Sequence, residues 1–86
     1  MGAGLIYEAR KLEARLEECE RAFEVLREKA RECSEALRGL EEGKHDLTYV
    51  LGKLSGFLEA LGDFQHELSH LASSAASILA RAGQAE

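Results

Sequence analysis

The sequence contains no proline and no tryptophan, and aromatic residues make up only 6% of its 86 residues. Proline is the residue that most strongly interrupts an α-helix, so its absence leaves long continuous helices allowed. A chain of this length forms at most one domain. With 45% hydrophobic and 31% charged residues, the composition is that of an ordered chain rather than a disordered one.

Basic residues are too few for a nucleic-acid-binding protein, and no apolar run is long enough for a membrane span. The net charge is -5, whereas phosphate binding requires a basic stripe and a transmembrane helix requires about 20 apolar residues. The start, MGAGLIYEARK, lacks the basic flank and apolar core of a signal peptide. We therefore expect no nucleic-acid partner, no membrane insertion and a cytoplasmic location.

Cysteine is also scarce, with one residue at Cys19 and one at Cys33. On a helix these two residues lie roughly 21 Å apart, which is too far for a disulfide. We predict two buried free thiols that act as small hydrophobic residues. No nucleophile–base pair and no phosphate-binding loop occurs in the sequence, so we expect a protein that is not an enzyme and has no cofactor.

Apolar residues recur in two unbroken runs of heptads, in which positions a and d of the repeat abcdefg are apolar. The first run reads Leu5, Ala9, Leu12, Leu16, Cys19, Phe23, Leu26, Ala30, Cys33, Leu37 and Leu40. The second reads Leu47, Val50, Leu54, Phe57, Leu61, Phe64, Leu68, Leu71, Ala75, Ile78 and Ala82. We predict one domain over residues 1–86, with a helix at about 4–42, a turn at 43–45 and a second helix at about 46–82. Gly43 can end the first helix in the left-handed conformation, and Asp46 can cap the second.

The short turn predicts an antiparallel hairpin, in which the residue numbers of facing a and d residues share a constant sum. In each of the eleven predicted pairs the two residue numbers sum to 87, from Leu40 with Leu47 to Leu5 with Ala82. At the flanking g positions we expect Glu8 near Arg81, and Arg15 near Glu67. The predicted fold class is therefore all-α, an antiparallel two-helix coiled-coil hairpin.

The second helix carries a further apolar strip that the first helix does not cover. Its e positions are Leu51, Leu58, Gln65, Ala72 and Leu79. The e positions of the first helix are polar or charged beyond its first turn, so they offer this strip no apolar surface. The strip is nearly palindromic about Gln65, which suits an isologous antiparallel contact between two copies. We predict that the hairpin dimerises into a four-helix bundle through these residues.

His66 and His70 lie four residues apart, a spacing that places both imidazoles on one face of a helix and is used in metal sites. They occupy the f and c positions, which point away from the helix pair. The simpler interpretation is a solvated surface with only weak zinc binding, and the alternative is a metal-binding bundle that uses both histidines. We interpret His45, in the turn, as an ordinary polar loop residue.

Near the turn, Gly52 and Gly56 leave the outer surface of the second helix bare, next to Tyr49 and Lys53. This notch can accept a helix or an extended segment of another protein. The alternative is a helix that tolerates glycine because its core holds it in place.

The function that the sequence favours is protein–protein interaction by a small homodimeric helical adaptor, regulator or chaperone with an unidentified protein partner. The alternative is a component or co-chaperone of a protein secretion machine. In size and shape the predicted hairpin resembles WXG100 exported proteins and type III needle and co-chaperone subunits. Its turn reads EEGK and contains neither a Trp-x-Gly nor a proline, so the resemblance extends no further.

Overall fold

The computed structural model describes residues 2–85, and its side chains from Gly4 to Gly83. It contains two long helices, α1 (Gly2–Glu41) and α2 (Leu47–Ala85), which pack against each other along their length. The chain forms a rod of 63 × 15 × 14 Å. The predicted antiparallel hairpin is therefore confirmed. Within the described residues, neither helix has the stretch of apolar sequence that a membrane span needs.

The turn between the helices has the predicted chemistry. Gly43 has a φ of 76°, in the left-handed region that glycine adopts without steric cost. The amides of Gly43 and Lys44 donate to the carbonyls of Leu40 and Gly39, at 3.1 and 2.7 Å. Asp46 caps α2, since its Oδ1 accepts a hydrogen bond from the Tyr49 amide at 2.9 Å. These bonds satisfy backbone groups that a helix terminus leaves without partners.

The second helix continues to Ala85, past the end predicted at residue 82. Gly83 lies within this last turn, and Gly43 is the one glycine of the described residues with a positive φ. A glycine ends a helix when it takes the left-handed conformation, and otherwise it only weakens the helix. Gly83 therefore does not act as a stop.

The register of the hairpin follows the predicted constant sum. Phe23 packs on Phe64 with ring centroids 5.6 Å apart, and these two residue numbers sum to 87. Cys19 and Cys33 are buried free thiols, as predicted. The predicted flank contact between Glu8 and Arg81 also forms, with Oε1 and Nη2 3.7 Å apart.

The helices meet through their d and g positions, which corrects the prediction of an a and d interface. The buried apolar residues are at d or g positions: Cys19, Cys33, Ala36, Val50 and Ala60. In contrast, six a positions carry a large apolar side chain that is at least 40% exposed: Leu16, Phe23, Leu37, Leu47, Leu54 and Leu68. Both helices are therefore rotated about their axes, and their a positions turn outward on the same side of the hairpin.

The g positions explain this rotation. Facing g residues have numbers that sum to 89, and in most layers one of the two is small: Arg15 with Ser74, Ala22 with Glu67, Lys29 with Ala60, and Ala36 with Lys53. A small residue lets the helix backbones approach, while the apolar stem of the long residue covers it and the polar end reaches water. The remaining layer is the Glu8–Arg81 ion pair.

The prediction that Arg15 contacts Glu67 is wrong, because the numbers of facing g residues sum to 89 and these two sum to 82. Glu67 faces Ala22 instead, and its Oε2 atom is buried without a hydrogen-bond partner among the described residues. It lies in an open groove of about 330 Å³ beside Ala22, Arg21 and His66. The g side of the hairpin is therefore a partly polar contact with an open groove beside it.

Candidate functional site

One side of the hairpin is a continuous apolar surface, formed by the outward a positions of both helices and by the e positions of α2. We call it the apolar face. Among the described residues, all but three of the large hydrophobic side chains that are strongly exposed lie on it or at its end, the exceptions being Tyr7, Val25 and Tyr49. Monomeric proteins rarely expose so many contiguous apolar side chains.

The predicted dimer strip lies along this face. Leu58 and Leu79 are 57% and 73% exposed, and Leu51 is 53% exposed. Gln65 and Ala72 lie between them and are exposed as well. The outward a-position side chains run beside this strip, so the exposed apolar surface is wider than the e positions alone predicted.

A depression of about 200 Å³ opens near the middle of the apolar face. Its lining is Leu16, Cys19, Glu20, Phe23, Phe64 and Leu71. It spans the layers in which Leu16 faces Leu71 and Phe23 faces Phe64. The two phenylalanine rings are in contact. An apolar side chain from another helix fits a depression of this size and chemistry.

Charged residues border the apolar face along α1. Its e positions in the middle of the helix are Glu13, Glu20 and Arg27. The Arg27 guanidinium lies 6.0 Å from the centroid of the Phe23 ring, at the outer limit of a cation–π contact. This border therefore presents two negative charges and one positive charge in a fixed order along the helix.

The predicted docking notch near the turn is partly filled by contacts within the chain. Gly52 faces open space, and Gly56 lies 3.9 Å from the Lys29 side chain, measured from an ideal Cβ position. The Lys53 ammonium lies 3.0 Å from Glu32 Oε1 and 5.6 Å from the Tyr49 ring centroid. Its role as a partner site stays a prediction.

The Glu32–Lys53 ion pair shifts both groups toward their charged forms. The hydrogen bond from Lys53, followed by the charge of Lys29, lowers the pKa of the Glu32 carboxyl. The hydrogen bond to Glu32, together with its charge, raises the pKa of the Lys53 ammonium. This pair crosses from α1 to α2 beside the notch. Because both side chains are accessible to water, it fixes the position of Lys53 more than it stabilises the fold.

His45 corrects the interpretation of the turn, because it is a packing residue rather than an ordinary loop residue. Its ring stacks on Tyr49 with centroids 4.2 Å apart. Its backbone amide donates to the Gly39 carbonyl at 3.2 Å. A Cβ atom on Gly39 would come within 2.1 Å of the His45 ring, so Gly39 is the glycine that lets the turn close.

His66 and His70 lie outside the apolar face, at the f and c positions of α2. His66 is exposed and His70 is half-buried. Their Nε2 atoms are 3.0 Å apart. The structure therefore brings the two imidazoles into direct contact.

Comparison with known proteins gives no match. No protein-family model, no curated protein and no solved structure is similar to this chain at a significant level. The apolar face and the residues around it are therefore the features that bear on function.

Proposed function

We propose that this chain is a non-enzymatic protein–protein interaction module that works as a homodimer, with two hairpins packed through their apolar faces into a four-helix bundle. In this proposal the bundle is a cytoplasmic adaptor, regulator or chaperone. The observation that carries it is the poor core of the single hairpin. The buried apolar residues are two cysteines, two alanines and one valine, and no large side chain of the described residues is fully buried.

Such a core is too small to hold two helices of about 40 residues. Ordering a chain of this length costs on the order of 100 kcal/mol in conformational entropy. Most large d-position side chains are only partly buried, and five a-position leucines and Phe23 that would offset this cost are 40% or more exposed on the apolar face. A second layer of helices is the usual way to bury an amphipathic helix pair.

The surface area supports the same conclusion. The chain exposes 6354 Å², whereas a compact protein of 9.4 kDa exposes roughly 5,000 Å². The excess is roughly 1,300 Å² per chain, and a stable interface buries about 800 Å² from each partner. The excess area is therefore sufficient for a dimer interface.

The residue pattern of the α2 strip favours a second copy of this chain as the molecule that covers the apolar face. With a two-fold axis at Gln65, Leu51 of one copy faces Leu79 of the other, and Leu58 faces Ala72. Leu58 of the second copy then stands at the level of Leu16 and Leu71, beside the central depression. The two Gln65 amides meet on the axis, where they can hydrogen-bond to each other and penalise shifted registers.

The charges on α1 favour the same antiparallel arrangement. Gln65 lies at the level of Ala22, so a two-fold axis there places Arg27 of one copy at the level of Glu17 of the other. That level lies between Glu13 and Glu20 of the second copy, roughly 5 Å along the helix axis from each. A parallel dimer through the same α2 strip would instead place the two α1 helices on opposite sides of the contact, where Arg27 could not pair with these glutamates.

Cross-linking at position 65 tests this arrangement. In a Cys19→Ala, Cys33→Ala background, Gln65→Cys should form a disulfide-linked dimer under mild oxidation, because the two sulfur atoms meet on the axis. Ala72→Cys is the matched control on the same strip. Its two copies would lie roughly 21 Å apart along the antiparallel pair, so it should not cross-link.

The two variants together separate the possible outcomes. Cross-linking of both variants with equal efficiency indicates a parallel dimer and rejects the antiparallel one. Cross-linking of neither would mean that the apolar face binds a different protein, such as a subunit of a secretion machine. In that case the alternative function, a component or co-chaperone of such a machine, would replace the homodimer.

A further inference from the structure

The two histidines of α2 form the second feature with specific chemistry, independent of the apolar face. The Nε2 atoms of His66 and His70 are 3.0 Å apart, whereas the ring centroids are 4.5 Å apart. The ring planes are nearly perpendicular, at 86°. Because the nitrogen atoms are closer than the centroids, the two rings approach each other through their Nε2 edges.

This convergence fits a metal ion that binds both nitrogen atoms. Metal–imidazole bonds are about 2.0 to 2.1 Å long. Two such bonds to donors 3.0 Å apart meet at roughly 95°, close to the right angle between neighbouring ligands of a tetragonal site. A tetrahedral ion such as zinc would need the donors roughly 3.3 Å apart. Tetragonal coordination by nitrogen is typical of Cu²⁺ and Ni²⁺.

The surroundings limit the site to these two protein ligands. Among the described residues, no group of three or more His, Cys, Asp or Glu side chains is placed to hold a metal. Glu67, between the histidines in sequence, turns inward against Ala22. Water would complete the coordination, since His66 is exposed at the edge of the open groove between α1 and α2.

We propose that His66 and His70 form a bidentate site for a divalent transition-metal ion, with Cu²⁺ bound most tightly. The imidazoles bind the ion as neutral ligands. Copper binds nitrogen donors more tightly than nickel or zinc does. A helix that presents the pair also holds the two donors close together before the metal arrives.

Titration of the intact chain with CuCl₂ at pH 7.5, in a buffer that does not bind metal, tests the site. Calorimetry should give one Cu²⁺ per chain, with affinity at least tenfold higher than for ZnCl₂ under the same conditions. Electron paramagnetic resonance should show coupling to two imidazole nitrogen atoms in a tetragonal spectrum.

The matched control keeps both imidazoles but separates them. His70→Ser with Ser73→His places the second histidine two helical turns from His66, roughly 10.5 Å along the axis. Copper affinity should fall at least tenfold, to that of His66→Ala, and residual binding in both variants measures the isolated histidines and the other donors of the chain. Circular dichroism of the metal-free variants checks that the helices are intact.

Three results would overturn the site. Equal copper affinity in the wild type and the separated variant would show that the pair does not chelate. Zinc bound as tightly as copper would contradict the right-angled geometry. No binding above the His45 background would mean that the 3.0 Å contact is a hydrogen bond between two imidazoles. None of these results bears on the dimer, because the histidines lie away from the apolar face.

Discussion

Replacing Leu58 and Leu79 together with glutamate should convert the proposed dimer into a monomer that is also partly unfolded. Each of these leucines loses roughly 1.5 to 3 kcal/mol of burial on the apolar face, and the change affects both copies. The dimer strip contributes three leucines per chain, which gives on the order of 10 kcal/mol per dimer before the costs of association. The double substitution removes most of this burial free energy and leaves the hairpin with only its small core.

Sedimentation velocity and circular dichroism, measured on the same samples, check this result. The control is Ser73→Glu with Ala80→Glu, which adds the same charge to exposed positions on the opposite side of α2. The control should stay dimeric and helical. A glutamate variant on the apolar face that remains a stable, fully helical dimer would exclude this strip from the interface.

The second large effect is expected at a g position. Ala60 is 5% exposed and faces Lys29 across the helix pair. Because Ala60 is almost completely buried against α1, the larger leucine side chain must displace its neighbours, so Ala60→Leu should destabilise the protein by about 1 to 3 kcal/mol, as overpacking does. An interface through a and d positions would place residue 60 at its border, where leucine adds burial and stabilises.

Urea denaturation of the wild type and of Ala60→Leu at equal chain concentration measures this difference. Ala80→Leu is the matched control, because it makes the same substitution on the exposed side of α2. That control should shift the free energy of unfolding by less than about 0.5 kcal/mol. Ala60→Leu at or above wild-type stability would contradict the d and g interface.

The features of the fold that depend on periodicity were predictable from the sequence. The heptad runs give two helices, and the constant sum of 87 gives their register, which the Phe23–Phe64 contact confirms. Gly43 and Asp46 define the turn through their intrinsic conformational preferences. These features are local or follow from one repeat, so a single sequence contains enough information to predict them.

The rotation of the helices was not predicted, because the repeat does not distinguish which side of the a and d stripe faces the partner helix. The relevant signal was the g positions, where alanine or serine faces a long polar side chain in layers that sum to 89. The pattern of apolar residues does not contain this signal, because Lys29 and Glu67 are polar residues. In these layers they lie opposite Ala60, which is buried, and Ala22, which is half-buried, and long side chains opposite small ones favour this orientation.

The contact of His45 with Gly39 depends on the path of the turn, so the sequence pattern alone did not predict it. The histidine pair was visible as a spacing, but the convergence of its nitrogen atoms depends on side-chain rotamers. The dimer strip was predicted from its position, and the exposed a positions beside it became apparent only once the rotation was known.

Sedimentation equilibrium of the wild-type chain at micromolar concentration tests the homodimer most directly. The proposed structure predicts a single species with twice the chain mass of 9.4 kDa, and dissociation on dilution accompanied by loss of helical signal. A fully helical monomer of 9.4 kDa at the same concentration would contradict it, because the hairpin would then be stable with its apolar face exposed to water.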